Sequence, residues 1–306
     1  MNGLVIGYGS IGTRHSRILK ELGCEVAVVS RRQIQGVQTF HSLYEAVHSF
    51  SPDYVVIANE TSCHSTSLKE LVASGYQGKV LVEKPLFDFP QSLDVSQFQS
   101  CYVAYNLRFH PLMQRLNDLV PSVGRVISVQ VYAGQYLPFW RPGTDYRKSY
   151  SSQKAKGGGV LRDLSHELDY VHWLFGGWKE LTALGGKYSS LEIDSDDAFT
   201  MLMSTDRCPM VSVHLNYLDR VSRREILIQT DEQVIHADLI RGILNVNGSL
   251  ETYAVERDDT YREMHRQMLL GTCHGLCTYE DGVIVLEMIE AAERAATERK
   301  WVTRCL

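Results

Sequence analysis

The chain has 306 residues, 44% of them hydrophobic and 22% charged, with a formal net charge of −5 and a pI near 6.1. That length accommodates two domains with cores of their own, and the composition excludes a disordered chain. No lysine or arginine run offers a field for nucleic acid, and no span reaches the roughly 18 consecutive apolar residues of a membrane helix. The opening residues run straight into a strand pattern, so no signal peptide is expected. Seven scattered cysteines, an odd number, fit a reducing compartment, and the reading is cytoplasmic. Cys273 and Cys277 flank His274 without the paired spacing of common zinc sites, so no metal is expected, and the sequon Asn59-Glu60-Thr61 is read as incidental.

Short apolar runs alternate with helical patterns over the first third, which predicts a doubly wound α/β domain with a parallel sheet covered on both faces. The candidate strands are Leu4–Ile6, Glu25–Val29, Tyr54–Ala58, Val80–Val82 and Tyr102–Tyr105. Ile11, His15, Ile18 and Leu22 trace one face of the first helix, and Gly23 supplies its stop. After about Leu119 the pattern becomes alternation, in Ile127, Val129, Val131 and in Val211, Val213, Leu215, Tyr217, predicting half-buried antiparallel strands and an α+β domain. Further strands are expected at Phe199–Met203, Glu225–Gln229 and Gly242–Val246, with Asn247-Gly248 as a hairpin turn. Leu161, Leu164, Leu168, Val171 and Phe175 form the stripe of one helix, and a last helix is expected at Val283–Thr297. The division is therefore 1–118 and 119–306, with the last helix able to pack back on the first domain. The second domain's sheet, if one face is uncovered, is expected to pair with another copy as a homodimer or homotetramer.

Gly7-Tyr8-Gly9-Ser10-Ile11-Gly12 follows the first strand and opens the first helix. In that context the glycines permit a tight turn, close approach of a pyrophosphate and close helix packing, with the phosphates at the helix N-terminus. An acidic residue at the end of the second strand would bind the ribose of NAD, and none is present. Ser30, Arg31 and Arg32 stand there instead, a hydroxyl and two guanidinium groups suited to a 2′-phosphate, so NADP is favoured over NAD. The alternative is that either arginine is a solvated surface charge. Asn59, Thr61 and His64, after the third strand, complete the candidate cofactor set.

Glu83-Lys84-Pro85 ends the strand at Val80–Val82, at the edge where ligands of open α/β sheets bind. Proline keeps Lys84 out of helical geometry, and its ammonium could stabilise charge on a substrate oxygen while Glu83 positions it. Taken alone, the tripeptide could equally be a surface strand end.

These motifs are followed by Tyr105-Asn106-Leu107-Arg108-Phe109-His110-Pro111 and by Gly157-Gly158-Gly159 ahead of Asp163 and His166. The ordered set resembles the glucose-fructose oxidoreductase, inositol dehydrogenase and rhizopine-catabolism family, Gfo/Idh/MocA, over nearly the whole chain. The resemblance implies an N-terminal Rossmann domain, a C-terminal open, mainly antiparallel sheet, and hydride transfer at a sugar or cyclitol carbon in the cleft between them. It implies that Lys84 is catalytic with Asp163 and His166 as partners, and that Asn106 and Arg108 lie along the nicotinamide and substrate side. The family usually spaces its aspartate and histidine by four residues, whereas Asp163 and His166 are three apart, which leaves Asp169 as a second candidate to orient His166. An imidazole there would take the hydroxyl proton as the hydride leaves.

The triple glycine reads as a close-packed bend. The segment Trp140 to Tyr150 is rich in aromatic and cationic side chains, and Trp140, Tyr146 and Arg147, with Arg141 and Lys148, read as a substrate loop for the phosphate or carboxylate of an activated sugar. The same segment resembles the branch of the family found in bacterial surface-polysaccharide and nonulosonate pathways; a basic surface loop against a neighbouring subunit would look the same. Two other readings stand beside the dehydrogenase. One is an NADP-binding redox sensor without turnover, and the other a Rossmann reductase for a tetrapyrrole or amino-acid derivative.

Overall fold

The computed structural model describes residues 1–304, which fall into two compact units, Met1–Phe109 with Arg257–Val283, and His110–Glu256 with Ile284 onward. In the first unit, β1 (Asn2–Ile6) is followed by α1 (Ser10–Glu21), β2 (Glu25–Val29), β3 (Gln38–Phe40), α2 (Leu43–Phe50), β4 (Tyr54–Ile57), α3 (His64–Ala73), β5 (Lys79–Val82) and β6 (Ser100–Val103). These strands pair in parallel in the order β6-β5-β4-β1-β2-β3. Every residue of β4 and β5 is buried, the consequence of apolar runs covered on both faces. Helix α2 starts on a serine cap, Ser42 Oγ accepting from the Glu45 N–H, a short helix that the sequence pattern had not marked.

The second unit contains α4 (Pro111–Leu119), β7 (Val126–Gly134), α5 (Val160–Asp163), α6 (His166–Phe175), β8 (Trp178–Gly186), β9 (Ala198–Thr205), β10 (Val211–Asn216), β11 (Arg223–Thr230), β12 (Val234–Asp238), β13 (Ile243–Val246) and β14 (Ser249–Thr252). Its sheet runs β14-β13-β12-β11-β7-β10-β9-β8 and is mainly antiparallel, but β7 and β10 pair in parallel. The hairpin at Asn247-Gly248 forms as expected, both residues at positive φ.

Two details correct the sequence reading. Ile127 does not share the buried face with Val129 and Val131: a register shift opposite Gln229 and Thr230 inserts it as an extra residue, and it turns outward at 39% exposure. The expected single helix from Leu161 to Phe175 is two helices. At Leu164 and Ser165 the tighter bonds Ser165 N–H to Arg162 O and Glu167 N–H to Leu164 O replace the α ladder. All five apolar residues of the stripe remain buried, because a two-residue turn preserves their side while breaking the rod.

The chain then returns to the first unit as α7 (Asp259–Leu270) and β15 (Cys277–Thr278), and α8 (Tyr279–Glu298) carries it on to β16 (Val302–Thr303). Met264 and Met268 of α7 join Val5, Leu19, Val28, Val56 and Leu81 in the first unit's core. Lys79 Nζ donates to the Met268 and Leu269 carbonyls at the end of α7, a cation on a helix C-terminus. The first unit is thus completed by Arg257–Val283, well beyond the 118/119 division read from the sequence, and its boundary in mid-chain lies at Phe109.

Candidate active site

The glycine loop is shaped for an anion. Gly7 has φ +93°, and a Cβ on Gly12 would lie 2.1 Å from the Gly7 carbonyl oxygen, so α1 can sit this close only over two glycines. A Cβ on Gly9 would meet nothing within 4 Å, so the loop's exposed side is open. Helix α1 begins at Ser10 and Ile11 with no side-chain cap and no acidic residue in its first turn, leaving its positive end to whatever binds there. Arg32 Nη2 donates to the Tyr8 carbonyl at 3.3 Å, and its backbone N–H donates to Ser30 Oγ at 3.1 Å. Arg31 beside them is exposed.

The ends of β4 and β5 supply the next residues. Asn59 donates to Ser67 Oγ at 2.9 Å, while its buried Oδ1 has no partner. Thr61 and His64 are buried, and His64 spends its imidazole on backbone carbonyls, Nδ1 against Pro85 and Leu86 and Nε2 against Asn59. Burial pushes His64 below the usual histidine range. Glu83 is buried, with Oε1 2.8 Å from His15 Nε2 and Oε2 accepting the Lys84 backbone N–H at 3.1 Å. Burial alone would raise its pKa, but the hydrogen bond from His15 and the charge and backbone N–H of Lys84 hold the carboxyl below its ordinary value. Lys84 itself is half-buried and joined to Pro85 by a cis peptide bond. Asn106 donates to Thr260 of α7 at 2.7 Å, and buried Arg108 pairs with Asp281 at 3.1 Å and with the Leu276 carbonyl.

In the second unit Asp163 closes α5, and its Oδ2 accepts the hydroxyl of Tyr217 at 2.6 Å. Trp140 meets the Tyr217 ring edge-on at 5.1 Å, so three residues far apart in sequence come together, of which Tyr217 had been read only as a strand residue. Gly159 has φ +128°, and a Cβ there would lie 2.2 Å from Asp196 Oδ1, which makes the triple glycine a tight bend under the Asp196 carboxylate. Asp196 in turn accepts the Leu161 N–H at the start of α5. His166 opens α6, buried to 8% exposure, with Asp169 buried one turn on along the same helix. Next to His166, Glu167 accepts from Arg224 Nε at 2.8 Å. In the candidate substrate loop Arg147 is bound to Asp145 and Glu192, Tyr146 accepts the Glu192 N–H, and Arg141 and Lys148 are exposed.

Residues 1–102 match the family model described as the oxidoreductase family with an NAD-binding Rossmann fold, and residues 114–236 match the GFO/IDH/MocA C-terminal domain. The chain belongs to the GFO/IDH/MocA oxidoreductase family. An uncharacterized oxidoreductase of Streptococcus pneumoniae serotype 4 is 23% identical over 85% of this chain and 77% of its own length. Another, from Synechocystis sp., is 26% identical over 47% of this chain, and the match spans only 40% of that relative. Among solved structures, GenD2 from gentamicin A biosynthesis in complex with NAD is 22% identical (TM-score 0.82, covering 100% of this chain and 97% of that one). The WlbA dehydrogenase from Bordetella pertussis with NADH and UDP-GlcNAcA is 17% identical (TM-score 0.81, 100% and 99%). Levoglucosan dehydrogenase with NADH is also 17% identical (TM-score 0.85, 99% and 98%). These likenesses establish the fold, a Rossmann-type unit and a second, mainly antiparallel one.

This GFO/IDH/MocA chain has residues that fit a dinucleotide. Gly9 leaves open space, the N-terminus of α1 lacks a side-chain cap, and the orphaned Asn59 oxygen is a buried acceptor beside Gly7, whose own Cβ would strike the Asn59 backbone.

Proposed function

We propose that this chain is a dehydrogenase or reductase that exchanges a hydride between a nicotinamide dinucleotide and a carbinol or ketone carbon of a sugar or nucleotide sugar. The observation that carries the reading is that the open glycine loop after β1 and Lys84 after β5 share the carboxyl edge of one parallel sheet, the edge at which such sheets bind ligands. When bound, the nicotinamide supplies or takes the hydride. Lys84, braced by Glu83, stabilises negative charge on the substrate oxygen. His166 takes the hydroxyl proton in oxidation and returns it in reduction, with Asp163, fixed by Tyr217, as its partner from α5.

NADP(H) is the proposed cofactor in preference to NAD(H), supported by Ser30 and exposed Arg31 at the end of β2 where no carboxylate stands. The sugar reading draws support from the UDP-GlcNAcA bound to WlbA and from the levoglucosan dehydrogenase likeness, and a surface-polysaccharide or nonulosonate substrate is its narrower form. Leu184 and Leu202 lie exposed on one face of the second unit's sheet, which supports a homodimer or homotetramer through that sheet. No helix among the described residues is long and apolar enough to cross a membrane. The free cysteines among the described residues support a reducing, cytoplasmic setting.

The test is absorbance at 340 nm with the purified chain, NADP⁺ or NAD⁺, and a panel of sugars and UDP-sugars, run also in the reductive direction. Turnover that is faster with NADP(H) is expected. Tight dinucleotide binding with no turnover on any member would replace the enzyme by the redox-sensor reading.

A further inference from the structure

From Glu83, behind Lys84, runs a line of three buried polar groups that the proposed chemistry does not use. Glu83 Oε1 is 2.8 Å from His15 Nε2, His15 Nδ1 is 2.8 Å from His265 Nε2, and His265 Nδ1 is 3.0 Å from the Tyr54 hydroxyl. His15, His265 and Tyr54 are all fully buried, and they come from α1, α7 and β4. Three polar side chains in a core cost free energy unless each is satisfied, so an apolar filling would have been cheaper if packing alone were at stake.

We propose that His15, His265 and Tyr54 are positioning residues, a hydrogen-bonded chain that holds the Glu83 carboxylate in place against Lys84. The proposal rests on the reading of Lys84 given above. With one proton on each imidazole, counting gives the direction of the chain. An ionised Glu83, which already accepts the Lys84 N–H on its other oxygen, needs a donor at His15 Nε2. The Nε2–H tautomer of His15 leaves Nδ1 bare, which accepts from His265 Nε2. His265 is left with a bare Nδ1, which accepts the Tyr54 hydroxyl. Burial keeps His265 well below the histidine range and keeps the Tyr54 phenol protonated, so both stay neutral in this arrangement. The other groups facing this line are His64 from α3, Lys84, Cys24 and Tyr76 beside Tyr54, and Tyr261 from α7, whose ring lies edge-on to His15 and under Arg14. None of these replaces the donor at Glu83 Oε1 that His15 provides.

Nitrogen-15 NMR of the ligand-free protein reads the chain directly: His15 and His265 are both expected as Nε2–H tautomers with bare Nδ1. A bare Nε2 at His15 overturns the proposal. Kinetically, His15→Leu removes the donor, so Glu83 protonates at higher pH and the acid limb of the kcat profile moves upward, with kcat down at least roughly tenfold. His15→Gln places an amide N–H near the Nε2 position and is expected to restore most of kcat and the limb, with the KM for dinucleotide within about threefold throughout. An unmoved acid limb in His15→Leu, or no recovery in His15→Gln, overturns the proposal while leaving the dehydrogenase reading intact. If His15→Leu does not fold, Tyr54→Phe keeps the ring and removes the last donor; an acid limb unmoved there overturns it equally. Absence of turnover in the unmodified chain with every sugar removes the functional reading and this proposal with it.

Discussion

Tyr217, one residue beyond β10, donates its buried hydroxyl to the carboxylate of Asp163 at the end of α5, 2.6 Å away. The bond ties the turn between α5 and α6 to the sheet, and that turn delivers His166. Burial, then the charge of Asp163, push the Tyr217 phenol well above its ordinary range, so it remains a donor at every accessible pH. Tyr217→Phe keeps the ring against Trp140 and removes only the donor. Urea unfolding is expected to show a loss of about 1–3 kcal/mol, as for a hydrogen bond to a charged group. A loss below about 0.5 kcal/mol would mean that the carboxylate does not depend on this hydroxyl.

Gly9 and Gly12 separate binding from folding. Gly12→Ala must displace the Gly7 carbonyl and is expected to lower Tm, whereas Gly9→Ala meets nothing and is expected to fold with unchanged Tm. The same Gly9 variant fills the space a pyrophosphate needs and is expected to weaken dinucleotide binding at least about tenfold, which isothermal calorimetry would read. Wild-type affinity in Gly9→Ala would place the phosphates elsewhere.

Ser30→Asp combined with Arg31→Ala exchanges the corner proposed to hold a 2′-phosphate for a ribose-binding one. The ratio of kcat/KM for NADP over NAD is expected to fall at least roughly tenfold, about 1.4 kcal/mol. Arg32 is left in place because it is already bonded to the Tyr8 carbonyl. An unchanged ratio would remove the NADP assignment.

Lys84→Met and His166→Ala are each expected to lower kcat by about 10²–10⁴ while the dinucleotide Kd changes little, if each has the role proposed for it. Single-turnover kinetics with a responsive sugar would show it. Near-normal turnover in either variant would strike that residue from the mechanism.

His110 caps α4 through its bare Nδ1, which accepts the Leu112 N–H at 3.2 Å, and burial with Arg224 nearby pushes its pKa down to about 4. The unfolded chain binds this proton near pH 6.5, the folded chain only near 4, so stability is complete above 6.5 and falls as the pH drops toward 4. The contribution is at most about 3 kcal/mol. His110→Asn keeps an acceptor at the cap without a titrating ring, and equilibrium unfolding between pH 4 and 7 is expected to show a shallower slope. A slope equal to the wild type's would assign the acid sensitivity to other groups.

Much of the first unit was legible in the sequence, because strands buried on both faces and a glycine loop are local patterns. The strand Glu25–Val29 has the bounds read from the sequence, its apolar run Val26–Val29 following one exposed glutamate. What resisted was anything that needed a distant partner. The 161–175 stripe shows which side of the chain is buried but not that the rod breaks at Leu164. The bulge that turns Ile127 outward depends on the register of β11. Asp259–Leu270 carries Thr260, Met264 and Met268 at helical spacing, yet only the folded chain reveals that this segment returns to complete the first unit's core.

By itself, then, the sequence determined the glycine loop, the identity of the residues around Lys84 and the alternating strands of the second unit, each a local pattern governed by backbone sterics and side-chain period. Only the tertiary structure decided that His15, placed by periodicity on a packing face, spends both ring nitrogens on Glu83 and His265, and that a strand tyrosine holds Asp163. The physical reason is range: hydrogen bonds between buried side chains join residues 68, 250 and 54 positions apart, and no local pattern records which buried polar group will find which partner.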